Sequence, residues 1–152
     1  VCNRSNDFFW GMLGSNVVHF TLLHELVSRA VGVKQGIYRV FTNNLHVYPD
    51  MSRFKEIYNH RIEQNAYKDH YSNITFPLLQ EGEDWRDLVA DCHVIVYGHY
   101  KDSHKILTHW VRNVAWPMHQ AYLIRDNRDD WISKIAATDW RIACQEWNSR
   151  RK

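Results

Sequence analysis

A chain of 152 residues can bury a sizeable core as one domain, and 45% hydrophobic against 24% charged residues is the balance of an ordinary globular protein. Seven Trp and eight Tyr argue against a disordered or low-complexity chain, and a formal charge of +2 is too small for a protein that coats nucleic acid. No apolar run approaches the length of a membrane span and no signal peptide is visible, so a soluble protein without membrane or direct nucleic-acid contact is expected.

The three cysteines, Cys2, Cys92 and Cys144, are scattered and lack a CxxC partner, which suits reduced thiols better than a disulfide framework. Ten histidines invite a metal reading, but neither HExxH nor a His/Cys group with ligand spacing occurs, so no metal is expected.

In chain order, Val1 to Phe9 reads as a strand running into a turn at Gly11-Met12-Leu13-Gly14. Ser15 or Asn16 is placed to cap a helix over Val17 to Val31, whose Val17, Phe20, Leu23, Leu26, Val27 and Ala30 make a broad apolar face and which Gly32 ends. Gly36 to Phe41 has strand composition, Leu45 to Tyr48 is a shorter strand, and Pro49-Asp50 opens a polar helix to about Tyr67. Lys68 to Glu83 reads as an irregular connection, Trp85 to Ala90 as a helix and His93 to Tyr97 as a strand. The rest is helical: one helix from His104 to about Arg125, bent at Pro117, and one amphipathic helix from Asp129 to Trp147. No repeat or linker interrupts this, so a single α+β unit over residues 1–152 is expected.

A few polar residues stand where chemistry could use them. Arg4 offers a fork of donors and Ser5 a hydroxyl, a pair that suits a phosphate and is also an ordinary turn. Asp7 can accept hydrogen bonds from a heterocycle or close a turn. Asn16 carries an acceptor and a donor on one carboxamide, matching the N3–H and O4 of uracil, but can equally cap its helix. His46 and Tyr48 alternate on a strand, so they face one side and could hold a sugar hydroxyl or simply lie half-buried.

Taken in order, Arg4-Ser5-Asn6-Asp7, Gly11, Asn16 opening an apolar helix, Gly36 and His46-Val47-Tyr48 resemble the thymidylate synthase superfamily, which includes the deoxypyrimidine hydroxymethylases of viruses. The resemblance covers residues 1–48 and implies a thymidylate synthase-like mixed sheet with packed helices, followed here by a helical C-terminal part. It implies a pyrimidine deoxynucleotide monophosphate as substrate and 5,10-methylene-tetrahydrofolate as cofactor. Arg4 and Ser5 would contact the phosphate, Asp7 would lie by the pterin and pyrimidine, and Gly11 would admit the ligand close to the backbone. Asn16 would read the base, and His46 with Tyr48 would hold the deoxyribose hydroxyl. A homodimer is implied; the unpaired cysteines suggest a cytoplasmic location, in the host if the chain is viral.

Three departures accompany the resemblance. The segment from Gly11 to Asn16 is one residue longer than the family spacing; Asn16 rather than Ser15 keeps the following helix in register, and an Asn there favours uracil over cytosine. The chain ends Trp147-Asn148-Ser149-Arg150-Arg151-Lys152, without the apolar tail that closes over substrate in ordinary thymidylate synthases, and its Trp-rich helices look like a viral or phage branch. The family's nucleophilic cysteine, in a Pro-Cys-His-like segment before the Arg-Ser-x-Asp motif, has no counterpart: only three residues precede Arg4, and Cys2, Cys92 and Cys144 lack the context. Pyrimidine C5 is a poor nucleophile until a thiolate adds at C6. The chain is therefore expected to be the nucleotide-binding, C-terminal portion of a C5 methyl- or hydroxymethyltransferase acting on dUMP or dCMP, inactive alone. The rivals are a non-catalytic nucleotide-binding or assembly subunit and a helical interaction module.

Overall fold

The computed structural model describes residues 6–50, 55, 76–97 and 105–151. Arg4, Ser5, Cys2 and nearly all of the expected helix to Tyr67 lie outside the described residues. The chain's contacts fall into two compact units, residues 1–64 and 65–152.

In the first unit, strand β1 (Asn6–Asp7) pairs in parallel with β2 (Leu45–His46), Asn6 beside Leu45 and Asp7 beside His46. The strand expected to reach Phe9 stops at Asp7, because that carboxylate turns the chain: its Oδ1 accepts the Trp10 amide at 2.6 Å and caps a wide π turn over Phe8–Met12. The turn closes with the Leu13 amide on the Phe8 carbonyl at 3.0 Å.

Helix α1 (Ser15–Ala30) starts two residues earlier than expected. Its cap is Gly14, which makes no side-chain cap bond, so neither Ser15 nor Asn16 is the cap; the Ser15 hydroxyl instead donates to the Trp10 carbonyl at 3.2 Å. Glycine is needed at 14 for space, since a Cβ there would meet the Phe9 carbonyl oxygen and stand 2.8 Å from that of Trp10. The helix ends as expected at Gly32 (φ 71°), whose amide bonds the Arg29 carbonyl at 3.2 Å while the Val33 amide bonds that of Ser28 at 2.9 Å. That reciprocal pair is a Schellman closure. Residues 36–41, expected as a strand, run without a ladder partner among the described residues, with Ile37 and Phe41 exposed.

The second unit holds the packed core. Helix α2 (Trp85–Tyr97) includes the His93–Tyr97 run expected as a strand. Its β-branched composition yields to tertiary contacts. Leu88 and Asp91, three residues apart, are both buried, and that spacing is helical, whereas Val96 and Tyr97 both face outward. Asp91 is the anchor: its carboxylate accepts the Leu107 and Thr108 amides at 3.0 and 2.7 Å and the Thr108 hydroxyl at 2.6 Å. Glu83 adds a carboxylate oxygen 2.6 Å from the His109 amide. Two carboxylates therefore satisfy the free amides where the next helix begins.

The helix expected from His104 to about Arg125, with a bend at Pro117, is irregular at that place. A π segment (Val111–Ala115) leads into α3 (Trp116–Leu123), with Pro117 in the first turn. Proline has no amide to offer the carbonyl four residues back. That carbonyl, on Asn113, accepts the Ala136 amide at 2.9 Å instead. The expected helix from Asp129 to Trp147 likewise divides into α4 (Arg128–Ser133) and α5 (Thr138–Ser149). The break at 134–137 lets the Ala136 amide reach Asn113 and sets Ile135 and Ala137 into the core with Val114, Ala121 and Ile132. Phe76, Trp110, Met118, Trp131, Trp140 and Cys144 pack around that cluster.

Replacing Asp91 with Asn puts an NH2 group against amide donors inside a buried site, so Asp91→Asn should lower unfolding stability by about 2–3 kcal/mol in urea melts. His119, whose Nδ1 is buried without a partner among the described residues, has its pKa lowered from the ordinary 6.5 by burial. The unfolded chain then binds the proton more readily, so this contribution is complete above that ordinary value and is lost as pH falls below it. The fall in urea midpoint between neutral and mildly acidic pH should shrink in His119→Gln.

Candidate functional site

The first unit carries a cavity of about 420 Å³ between the β1–π turn corner, the start of α1 and the extended segment after it. Asn6, Gly11, Asn16, His24, Tyr38 and Arg39 supply its polar part, and Val17, Phe20, Leu23 and Phe41 its apolar wall. That size and mixture suit a small organic ligand with a few oriented polar groups.

The expected residues divide between two faces. Gly11 and Asn16 line the cavity together. Gly11 is buried, and a Cβ on it would overlap Asn6 Oδ1 and stand 3.3 Å from Asn16 Nδ2. The glycine thus seats a side chain from β1 beside the Asn16 carboxamide. Successive strand residues point to opposite faces, so Asp7 and its ladder neighbour His46 share the face away from Asn6. Neither they nor Tyr48 line the cavity. The rings of His46 and Tyr48 stand edge to face with centroids 5.3 Å apart. Asp7 Oδ1 is committed to the turn, while Oδ2 is buried without a partner among the described residues, an acceptor waiting for a donor.

Asn6, His24, Tyr38 and Arg39 were not among the expected site residues. Asn6 occupies the variable place inside the Arg-Ser-x-Asp run, and only the spatial approach to Gly11 reveals it. His24 lies two turns along α1 from Asn16, a spacing of eight that puts both on one helix face. The His24 and Tyr38 rings are 6.5 Å apart.

A larger concavity, about 780 Å³, lies in the second unit and holds none of the expected residues. There Trp147 carries two guanidinium groups over its indole, Arg128 at 4.8 Å and Arg151 at 4.5 Å. Arg128 is fixed by the Ala121 carbonyl and by the side chain of buried Asn148. This arrangement ties the end of α5 to the start of α4.

Cys92 and Cys144 both sit on helices of the second unit. Desolvation of the sulfur pushes each thiol above its ordinary pKa, and the charge of Asp91 adds to this at Cys92. Both therefore stay protonated near neutral pH and are poor nucleophiles. Among the described residues no His, Cys, Asp and Glu gather as a metal site.

Gly11→Ala should displace Asn6 and strain the corner, costing about 1–3 kcal/mol of stability in the first unit and weakening any ligand held by Asn16. Hydrogen exchange at the Trp10 and Leu13 amides, compared between the two proteins, checks the first effect.

The chain is 32% identical along its whole length to a deoxyuridylate hydroxymethyltransferase of Pseudomonas phage M6, of which it covers 47%. It is 33% identical over 89 residues, 59% of the chain, to a deoxyuridylate hydroxymethyltransferase of Bacillus phage SP01, of which that segment is 22%. The chain spans about half the length of the Pseudomonas phage relative. No family model and no solved structure matches it.

Proposed function

We propose that this chain, which belongs to the thymidylate synthase superfamily together with the phage deoxyuridylate hydroxymethyltransferases, is the pyrimidine-nucleotide-binding portion of an enzyme that hydroxymethylates C5 of dUMP. The observation that carries this reading is the Asn16 carboxamide, unpaired among the described residues, at the wall of a cavity sized for a nucleotide. A carboxamide presents an acceptor and a donor side by side, which is the complement of the uracil N3–H and O4.

In this reading the base enters beside Asn16 over the Gly11 corner, and Arg4 and Ser5 take the phosphate. His46 and Tyr48 hold the sugar hydroxyl from the other face of the β1–β2 pair. That ladder is two residues long, so a ligand lying across its end meets both faces. The task of these residues is to orient the ring and exclude water from it, so that C6 and C5 are presented in one geometry.

The thiolate that adds at C6 would come from a Pro-Cys-His-type cysteine of a longer protein, since Cys92 and Cys144 are held protonated on the second unit. The folate implied by the superfamily would suit Asp7 Oδ2, a buried acceptor without a partner among the described residues, which can take a ring N–H donor of a pterin. When bound, 5,10-methylene-tetrahydrofolate supplies the one-carbon unit. Asp7 would hold its ring.

Calorimetric titration tests the reading. The chain should bind dUMP more tightly than dCMP, and Asn16→Ala and His46→Ala should each weaken dUMP by about tenfold or more. Asn16→Asp should move the preference toward dCMP. Binding of neither nucleotide would overturn the proposal. For the longer protein, C5 hydroxymethylation of dUMP followed by mass spectrometry is the corresponding assay.

A further inference from the structure

Two carboxamides share the Gly11 corner of the cavity, although Asn16 alone was expected there. The Asn6 side chain comes from β1, where its backbone amide is fixed to the Asn44 carbonyl at 3.1 Å. Neither carboxamide has a hydrogen-bond partner among the described residues, and both are half-buried. The Asn6 oxygen lies where a Gly11 side chain would begin, and the Asn16 NH2 group is 3.3 Å from that same point. An acceptor of Asn6 and a donor of Asn16 thus both border the space the glycine leaves, without a hydrogen bond between them.

We propose that Asn6 sets the base preference of the site by fixing which end of the Asn16 carboxamide meets the pyrimidine; this rests on the reading that Asn16 contacts the base. A carboxamide rotated by half a turn has nearly the same shape with donor and acceptor exchanged. Alone, it could therefore serve uracil in one orientation and cytosine in the other. The neighbouring Asn6 oxygen removes that symmetry. It attracts the Asn16 NH2 group and repels the Asn16 carbonyl oxygen. With Nδ2 held on the Asn6 side, Oδ1 is left to accept the uracil N3–H, and the second N–H of Nδ2 reaches O4.

Cytosine presents the opposite pattern, an acceptor at N3 and a donor at N4. Meeting it would require the rotated amide, which sets two carbonyl oxygens against each other in a half-buried corner. The cost falls on cytosine alone, which makes Asn6 a discriminating element rather than a source of affinity. Gly11 belongs to the same device, because any side chain there would evict the Asn6 oxygen. Asn6 is thus a positioning residue that acts through Asn16.

The dissociation constants of dUMP and dCMP measured by calorimetry for the full chain, Asn6→Ala and Asn6→Asp test this. Asn6→Ala should reduce the dUMP-over-dCMP preference about tenfold, chiefly by tightening dCMP, since the orienting acceptor is gone. Asn6→Asp retains an acceptor at the corner and should keep the preference. A purely structural role would weaken both nucleotides together and leave their ratio unmoved in Asn6→Ala; that result would overturn the proposal. So would a collapse of the ratio in Asn6→Asp matching that in Asn6→Ala. If the unmodified chain bound neither nucleotide, the functional reading itself would fail; if it bound dUMP and the ratio ignored Asn6, only the present inference would.

Discussion

Asn6 and Asp7 are held beside Leu45 and His46 by a parallel ladder two residues long, and that ladder gives the candidate site its geometry. It sends Asn6 to the cavity and Asp7 to the face shared with His46. Asp7 then ends the strand with its own side chain, capping the π turn that brings Gly11 up against Asn6. Each step uses a group the previous one positioned: a strand amide, a carboxylate, a glycine without a side chain, and finally two carboxamides. The Asp7 carboxylate is divided between roles, one oxygen holding the backbone and the other left for a donor not supplied by the described residues.

The second unit is held differently. Its helices are joined by carboxylates and carbonyls that accept from backbone amides of other segments: Asp91 and Glu83 at the entry of the π segment, Asn113 at the break before α5. Each satisfies a backbone group that a helix end or a break would otherwise leave unpaired. The aromatic and aliphatic side chains then pack around Ile135 and Val114, both fully buried. Of the thiols among the described residues, Cys144 packs against the core of this unit and Cys92 is exposed.

What could be read in the residues was what local chemistry decides. The end of α1 is legible because a glycine follows an apolar helical stripe and a positive φ is easiest for glycine. The order of Arg4, Asp7, Gly11, Asn16, His46 and Tyr48 reads as a family pattern, and the chain is similar to two phage deoxyuridylate hydroxymethyltransferases. Less legible was whatever a distant partner decides. His93–Tyr97 has strand composition and is helical because Asp91 must meet residues 107 and 108. The hydrophobic period from Trp131 to Ile142 runs through the break at 134–137, because Ile135 is buried as well in the connection as it would be in a helix. Asn6 was overlooked because its neighbour in space is a glycine five positions on, a relation that only the Asp7 turn creates.

One consequence concerns the short ladder. Strand side chains alternate with a period of two, so shifting β1 by a single residue against β2 exchanges the faces of Asn6 and Asp7. A carboxylate would then stand where the carboxamide does now, and the orphaned acceptor would vanish from the opposite side. The acceptor beside Asn16 would persist while the opposite face lost its own, so an inserted or deleted residue in the connection can remake the second face of the site without substituting any of its side chains.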